Sequence, residues 1–342
     1  MFIFLGCYTD AIHLNGLNTI DLDLTTGRMA IVAEYPVSNA TYQALSPDGR
    51  YLYSCTRQGL ASFRVGAQAS GGAAASAVAL TPVDELSLGC STCHVAVMPD
   101  GKRAIWADYS GGTAGSVAIS DGRFGELVRH RHVGSGPNLP RQEKAHCHQA
   151  MPLPWGKGYC VVDLGLDAIF SYPSGDKFDI APAGSGPRHI VFHPNGRLVF
   201  LAHELGNVVS SLSWSEGGGF KMLDTHSTIA DQSAKDPPWL AAAIRLTPRM
   251  DGVIVSNRGE NSLAAYGFDV ATGKMELKAR TRLDGNWPRD FIFVSDTLAL
   301  VACERSGDVL LMRYDPDKFV FSQVSKLSGL FRPVALLQSP ST

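Results

Sequence analysis

Short apolar runs recur along the chain in pairs, and each pair is broken by a turn rich in Pro, Asp, Asn and Gly. Tyr42–Arg64 is one copy: an apolar strand, the turn Ser46-Pro47-Asp48-Gly49, a second apolar strand, a polar corner and a third strand. The pattern returns at Cys93–Ser120, His148–Pro173, Arg188–Trp214, Ala242–Asp269 and Arg289–Asp315. Turn prolines stand at Pro47, Pro99, Pro154, Pro194 and Pro248, roughly 40 to 55 residues apart, and the last copy lacks one. The runs are too short for helices and carry no helical period. A repeat of this size built only from strands predicts the blades of a β-propeller. A lone blade cannot bury both of its faces, so neighbours must stack in a ring.

Six blades are visible in full. A seventh is assembled from leftover strands at the two ends, Phe2–Cys7 and Asn18–Thr25 with Arg332–Ser339. Pairing strands from both termini removes the open sheet edges that invite aggregation. The expected fold is therefore all-β, a seven-bladed β-propeller whose last blade is closed by both termini, in one domain over residues 1–342. The low-complexity stretch Gly66–Val78 is expected to be a flexible loop between outer strands of one blade.

Composition agrees with many tight turns: 35 glycines and 19 prolines in 342 residues. A net charge of −2 gives no reason to expect a nucleic acid or an acidic membrane as partner, and no apolar run approaches bilayer length. The N-terminal Met1–Asp10 lacks the basic and apolar regions of an export signal and reads as a buried strand. The cytoplasm is the expected location. Seven irregularly spaced cysteines make no disulfide framework. Cys90-Ser-Thr-Cys93-His94 matches a haem-attachment pattern, but attachment requires export, and His94 falls in ordinary blade register. No cofactor is expected. P-loop, nucleophile-elbow and dinucleotide fingerprints are absent from the sequence.

Within a blade the innermost strand comes first, so first-strand starts and second-strand ends share one face. Starting positions are Cys93-His94, His146-Cys147-His148, Arg188-His189 and Arg289-Asp290; ending positions are Asp108-Tyr109, Asp163-Leu164, His203-Glu204, Asn257-Arg258 and Glu304-Arg305. All are expected to ring one channel mouth, the usual place for a site in such a fold. The convergence of Arg188, Arg258, Arg289 and Arg305 predicts an anionic ligand, because arginine forks pair with carboxylate or phosphate. Interblade ion pairing is the competing role. Glu204 is the candidate general base. His146 and His148 lie at i and i+2 and point the same way in an extended segment. Either could exchange protons or touch substrate, and without a third ligand at diagnostic spacing no metal is expected.

Phe4–Thr9, Cys93-His94, Asp163–Asp167, Gly186–His193, His203–Leu205 and Ser256–Glu260 together resemble the lactonase propeller family, over nearly the whole chain. That family includes the propeller-type 6-phosphogluconolactonases and the fungal carboxy-cis,cis-muconate lactonizing enzymes. The resemblance implies seven blades and metal-free chemistry. Matched motif by motif, the functional His, two Arg and Glu of the muconate branch fall on His148, Arg188, Arg258 and Glu204, with His146 an equal alternative to His148. His146, His94, His189, Arg289, Asp163, Asn257 and Arg305 are the expected substrate contacts. The chain departs from the family pattern at Asp108-Tyr109 and at Cys303-Glu304-Arg305, which bears on the substrate more than on the reaction class. Hydrolysis of an anionic sugar-acid lactone is the first reading, with 6-phosphogluconolactone as default and aldaric or uronic lactones as competitors. A muconate-type cycloisomerase is the second. A non-catalytic binding platform is the third, and it calls for exposed apolar patches rather than a polar channel mouth.

Overall fold

Second strands of the repeats are buried along their whole length, as in Tyr51–Cys55, Tyr159–Asp163, Leu198–His203 and Leu298–Cys303. A strand covered on both faces by adjacent blades must be apolar throughout, which is why these segments read as continuous hydrophobic runs. Outermost strands behave differently. Met29–Tyr35 and Gly219–Ser227 mix exposed and partly buried positions because only the blade flanks cover them. Between the blades the cores are interdigitated clusters, such as Leu153, Val162 and Ile169 against Val199, Leu201 and Trp214.

The computed structural model describes residues 1–67, 78–154, 158–180, 182–231, 233 and 238–340. These residues form seven antiparallel four-stranded sheets. Six follow the repeats in chain order, from inner to outer strand: Gln43–Ser87, His94–Arg131, Cys147–Asp179, Pro187–Ser227, Leu240–Arg282 and Pro288–Leu327, here blades one to six. In the seventh, the C-terminal strand Pro333–Gln338 is innermost and pairs with Phe2–Cys7, which is followed outward by Leu17–Leu22 and Met29–Tyr35. The expected closure by both termini is what the seventh sheet shows. Most of the stretch read as a low-complexity loop, residues 68–77, lies outside the described residues.

Candidate active site at the channel mouth

Two kinds of strand position supply side chains to the channel mouth. The first is the second residue of the innermost strand. In blades three, four and six this residue is the extra one of a β-bulge: the register steps from Cys147 to Gln149, from Pro187 to His189 and from Pro288 to Asp290. His148, Arg188 and Arg289 are thus left without a ladder partner, and a bulge re-aims the side chain it carries. The second position closes or directly follows the second strand. It holds Tyr8, Tyr109, Glu204, Arg258 and Glu304, all lining one cavity of about 500 Å³. His148, Arg289, Trp287, Arg141 and Arg332 are also in its walls. A wider cleft of about 750 Å³ between Tyr35 and Ser87 carries Asp84 and Glu85 but no arginine or histidine.

Glu204 is the hub. Its Oε2 accepts from Arg188 Nε at 2.9 Å and forms an ion pair with Arg258 Nη2 at 2.8 Å, and its Oε1 accepts from Arg141 Nη2 at 2.7 Å. His148 Nε2 stands 3.9 Å from Oε2. Arg258 also donates to the Ala241 carbonyl at 2.8 Å and lies over the Trp287 ring, while Arg141 also donates to the Tyr109 hydroxyl at 3.1 Å. Three cations around one carboxylate leave a positive excess in a dry place. A second cluster sits on the other side of the cavity, where Glu304 pairs with Arg289 at 3.4 Å and with Arg332, and both arginines lie over the Tyr8 ring.

Burial and charge set the protonation states. Burial alone would raise the Glu204 carboxyl, but the charges of Arg258, Arg188 and Arg141 outweigh it and hold the group well below the usual carboxylate range. Burial, reinforced by Arg188 and only partly opposed by Glu204, pushes His148 well below an ordinary histidine. Burial and the neighbouring Arg258 lower Arg188 to about 9, so it stays charged at neutral pH. At pH 7 the site is a carboxylate, three guanidinium cations and a neutral imidazole. His148 Nδ1 and Arg258 Nε have no hydrogen-bond partner among the described residues, so polar capacity remains at the site.

The other expected contacts are placed elsewhere, and strand parity explains most of them. Asp163 and Asn257 each stand one residue before the cavity-facing position, and side chains of successive strand residues point to opposite sides. Asp163 Oδ1 accepts from the backbone of His146, Gly165 and Leu166, and Oδ2 meets His132 Nδ1 at 2.7 Å. Asn257 Nδ2 donates to the Thr228 carbonyl and Ser262 Oγ. Arg305, one residue past Glu304, is exposed and stacks on Trp287. His146 packs on Tyr109 with Nδ1 on its carbonyl at 2.8 Å and Nε2 on Glu143, so between the two histidines it is His148 that faces the cavity. His189 and His94 follow His148 into the channel as a column of rings, at 5.2 Å and 5.9 Å, without lining the cavity.

Arg141, Tyr8, Trp287 and Arg332 escaped the sequence reading. Arg141 belongs to the connection between Arg123–Arg131 and Cys147–Pro152, which has no period to align. Tyr8 and Arg332 belong to the split blade, where comparing Cys7-Tyr8 with His203-Glu204 would have found the first of them. One group among the described residues has the chemistry of metal ligands: His132, Cys147 and Asp163, all buried. It is satisfied internally, with Cys147 Sγ 3.2 Å from His132 Nδ1 and the Tyr172 hydroxyl 2.9 Å from His132 Nε2.

Fold and site together define a seven-bladed propeller with a cationic cavity at one mouth of its channel. The chain belongs to the lactonase, 7-bladed β-propeller family, whose pattern matches residues 2–336. It is similar to the 6-phosphogluconolactonase of Bacillus subtilis, at 30% identity over 335 residues, covering 92% of this chain and 91% of the relative. An uncharacterized protein of Staphylococcus saprophyticus is also 30% identical, with 92% of each chain covered. Among solved structures, a protein of Lactobacillus plantarum superimposes with a TM-score of 0.85 at 28% identity, covering 98% of each chain. The periplasmic gluconolactonase of Pseudomonas aeruginosa shares the fold, with a TM-score of 0.89 at 23% identity over 99% of each chain.

Proposed function

We propose that this protein hydrolyses an anionic sugar-acid lactone, with 6-phosphogluconolactone as the default substrate. One observation carries the reading: Arg141, Arg188 and Arg258 converge on the single carboxylate of Glu204 beside an open cavity. The uncompensated positive charge favours a ligand bearing carboxylate or phosphate. Water adds to the ring carbonyl carbon, and Glu204 takes its proton. Arginine N–H groups stabilise the oxyanion that develops. The ring C–O bond then breaks, and the leaving alkoxide is protonated. His148, neutral and at the cavity wall, is the second candidate for proton transfer. The name of the Bacillus relative supports the phosphorylated substrate.

A panel of phosphorylated, carboxylated and neutral lactones, assayed at fixed pH and corrected for spontaneous opening, tests this reading. The expected result is enzymatic opening of an anionic lactone well above background. NMR of the products, with muconates included, separates hydrolysis from ring closure. Ring closure without lactone hydrolysis would overturn the proposal.

A further inference from the structure

Glu204 is in the correct protonation state for a base, yet both of its oxygens are occupied and its proton affinity is low. Oε1 keeps a second lone pair beside Arg141, but a proton placed there meets the charge of the surrounding cations, so Glu204 becomes an effective base only when one of them withdraws. The three arginines are not equally able to do so. Arg188 and Arg258 have side chains only 3% and 4% exposed, rise from blade strands and are held by further contacts to His189 and the Ala241 carbonyl. Arg141 comes from a connecting loop, its side chain is 36% exposed, and only its Nη2 is engaged among the described residues. The loop backbone beside it is pinned, because the buried Gln142 side chain accepts from Asn138 N and donates to the Leu164 carbonyl. So the anchor is fixed and the guanidinium above it can exchange partners.

Resting on the reading above, we infer that Arg141 is a substrate-responsive clamp: it occupies Glu204 Oε1 in the free protein, and an anionic substrate draws it away. A carboxylate or phosphate in the cavity offers Arg141 a bidentate partner in place of its single contact to Oε1. The freed oxygen takes the proton from the attacking water as the new C–O bond forms, and returns it to the ring alkoxide as the old bond breaks. The substrate's charge also weakens the pull of Arg188, Arg258 and Arg289 on Glu204 and His148, so both become stronger bases at the moment of need. A neutral lactone leaves the clamp shut and is opened slowly. The Tyr109 hydroxyl keeps a place for Arg141 on either partner.

The test compares 6-phosphogluconolactone with gluconolactone in wild type, Arg141→Gln and Arg141→Lys. For Arg141→Gln, KM for the phosphorylated lactone is expected to rise about tenfold, as a charge-assisted contact is lost. For gluconolactone, kcat/KM is expected to rise about threefold, because Glu204 is a stronger base without the clamp. The acid limb of kcat/KM should move up by about one pH unit. Arg141→Lys, which keeps the charge, should hold the acid limb near its wild-type place. Equal losses on both lactones, or an unmoved acid limb in Arg141→Gln, would overturn the inference. A readout independent of turnover separates it from the proposed function: the Glu204 carboxyl carbon titrated by ¹³C NMR. Its midpoint should rise in Arg141→Gln, and in wild type on adding 6-phosphogluconate. A midpoint unchanged in both cases sinks the clamp even if the lactone is hydrolysed. A wild type that opens neither lactone but shows the shifts keeps the clamp and discards hydrolysis.

Discussion

Glu204 and Glu304 occupy the same place in their blades, directly after the second strand, and each is bracketed by arginines at the edge of one cavity. Both carboxylates are buried, and the exposure of their arginine partners separates them. Two of the three arginines on Glu204 are as buried as the carboxylate itself, whereas Arg289 and Arg332 on Glu304 are 20% and 50% exposed. Near water an ion pair is worth little, since solvent screens it and long side chains lose entropy to form it. In the dry cluster every charge acts at full strength, and an uncompensated one is costly. Under the proposed function, chemistry is expected at the fully buried pairs around Glu204, and the more exposed pairs around Glu304 are expected to matter less.

The comparison breaks most sharply at the two glutamates. Glu204→Gln is expected to reduce kcat by roughly two to four orders of magnitude, the range for a lost general base, with circular dichroism and Tm confirming the fold. Glu304→Gln should change kcat by less than about fivefold, as fits a carboxylate whose arginine partners reach solvent. Near-normal turnover in Glu204→Gln would move the base to His148. Next come Arg188→Lys and Arg258→Lys. Each keeps its charge but loses the planar fork, so kcat/KM should fall by roughly 2–4 kcal/mol of transition-state stabilisation. A fall in Tm with unchanged kcat/KM would instead assign both residues to interblade ion pairing.

A third difference is visible in pH. The buried histidines are held neutral by burial: His148, His189 and His94 well below the ordinary value, and His203, which contacts Ser185, down to about 3. Their folded-state values lie below the unfolded one, so the unfolded chain binds protons that the native protein refuses. Stability is full above about pH 6.5 and falls as pH drops toward the folded values, by up to about 1.4 kcal/mol per pH unit for each histidine. Urea denaturation at pH 7.5 and 5.5 checks this, and stability that does not fall over that interval contradicts the assignment. The smallest effect belongs to the rim, where Arg332→Ala should raise KM for an anionic lactone only a few-fold. A hundredfold loss would place the anion at Glu304 instead.

How much of this was legible follows from the period of the chain. The blades were readable because strands buried on both faces are unbroken apolar runs between proline turns. His148, Arg188, Glu204 and Arg258 could be found because each holds a fixed register position relative to such a run. Asp163, Asn257 and Arg305 were placed on the right face of the ring but one residue out of phase, and a side chain one step off points away from the channel. The bulges that turn His148, Arg188 and Arg289 inward leave no mark in the hydrophobic pattern. Arg141 lies in a connection with no pattern at all, and its role exists only because the chain returns there in three dimensions.

The mixed seventh blade also sets a timetable. Phe2–Cys7 is made before every strand of blades one to six, and its inner partner Pro333–Gln338 is made after all of them. At the usual pace of about 5–20 residues per second, the early strand waits some tens of seconds with one row of backbone donors and acceptors unanswered. Blades one to six can form in turn during that interval, but the circle cannot be locked until Pro333–Gln338 has been made. A newborn chain is thus most vulnerable to wrong strand pairing at Phe2–Cys7, and Pro333–Gln338 acts as the clasp that ends the risk.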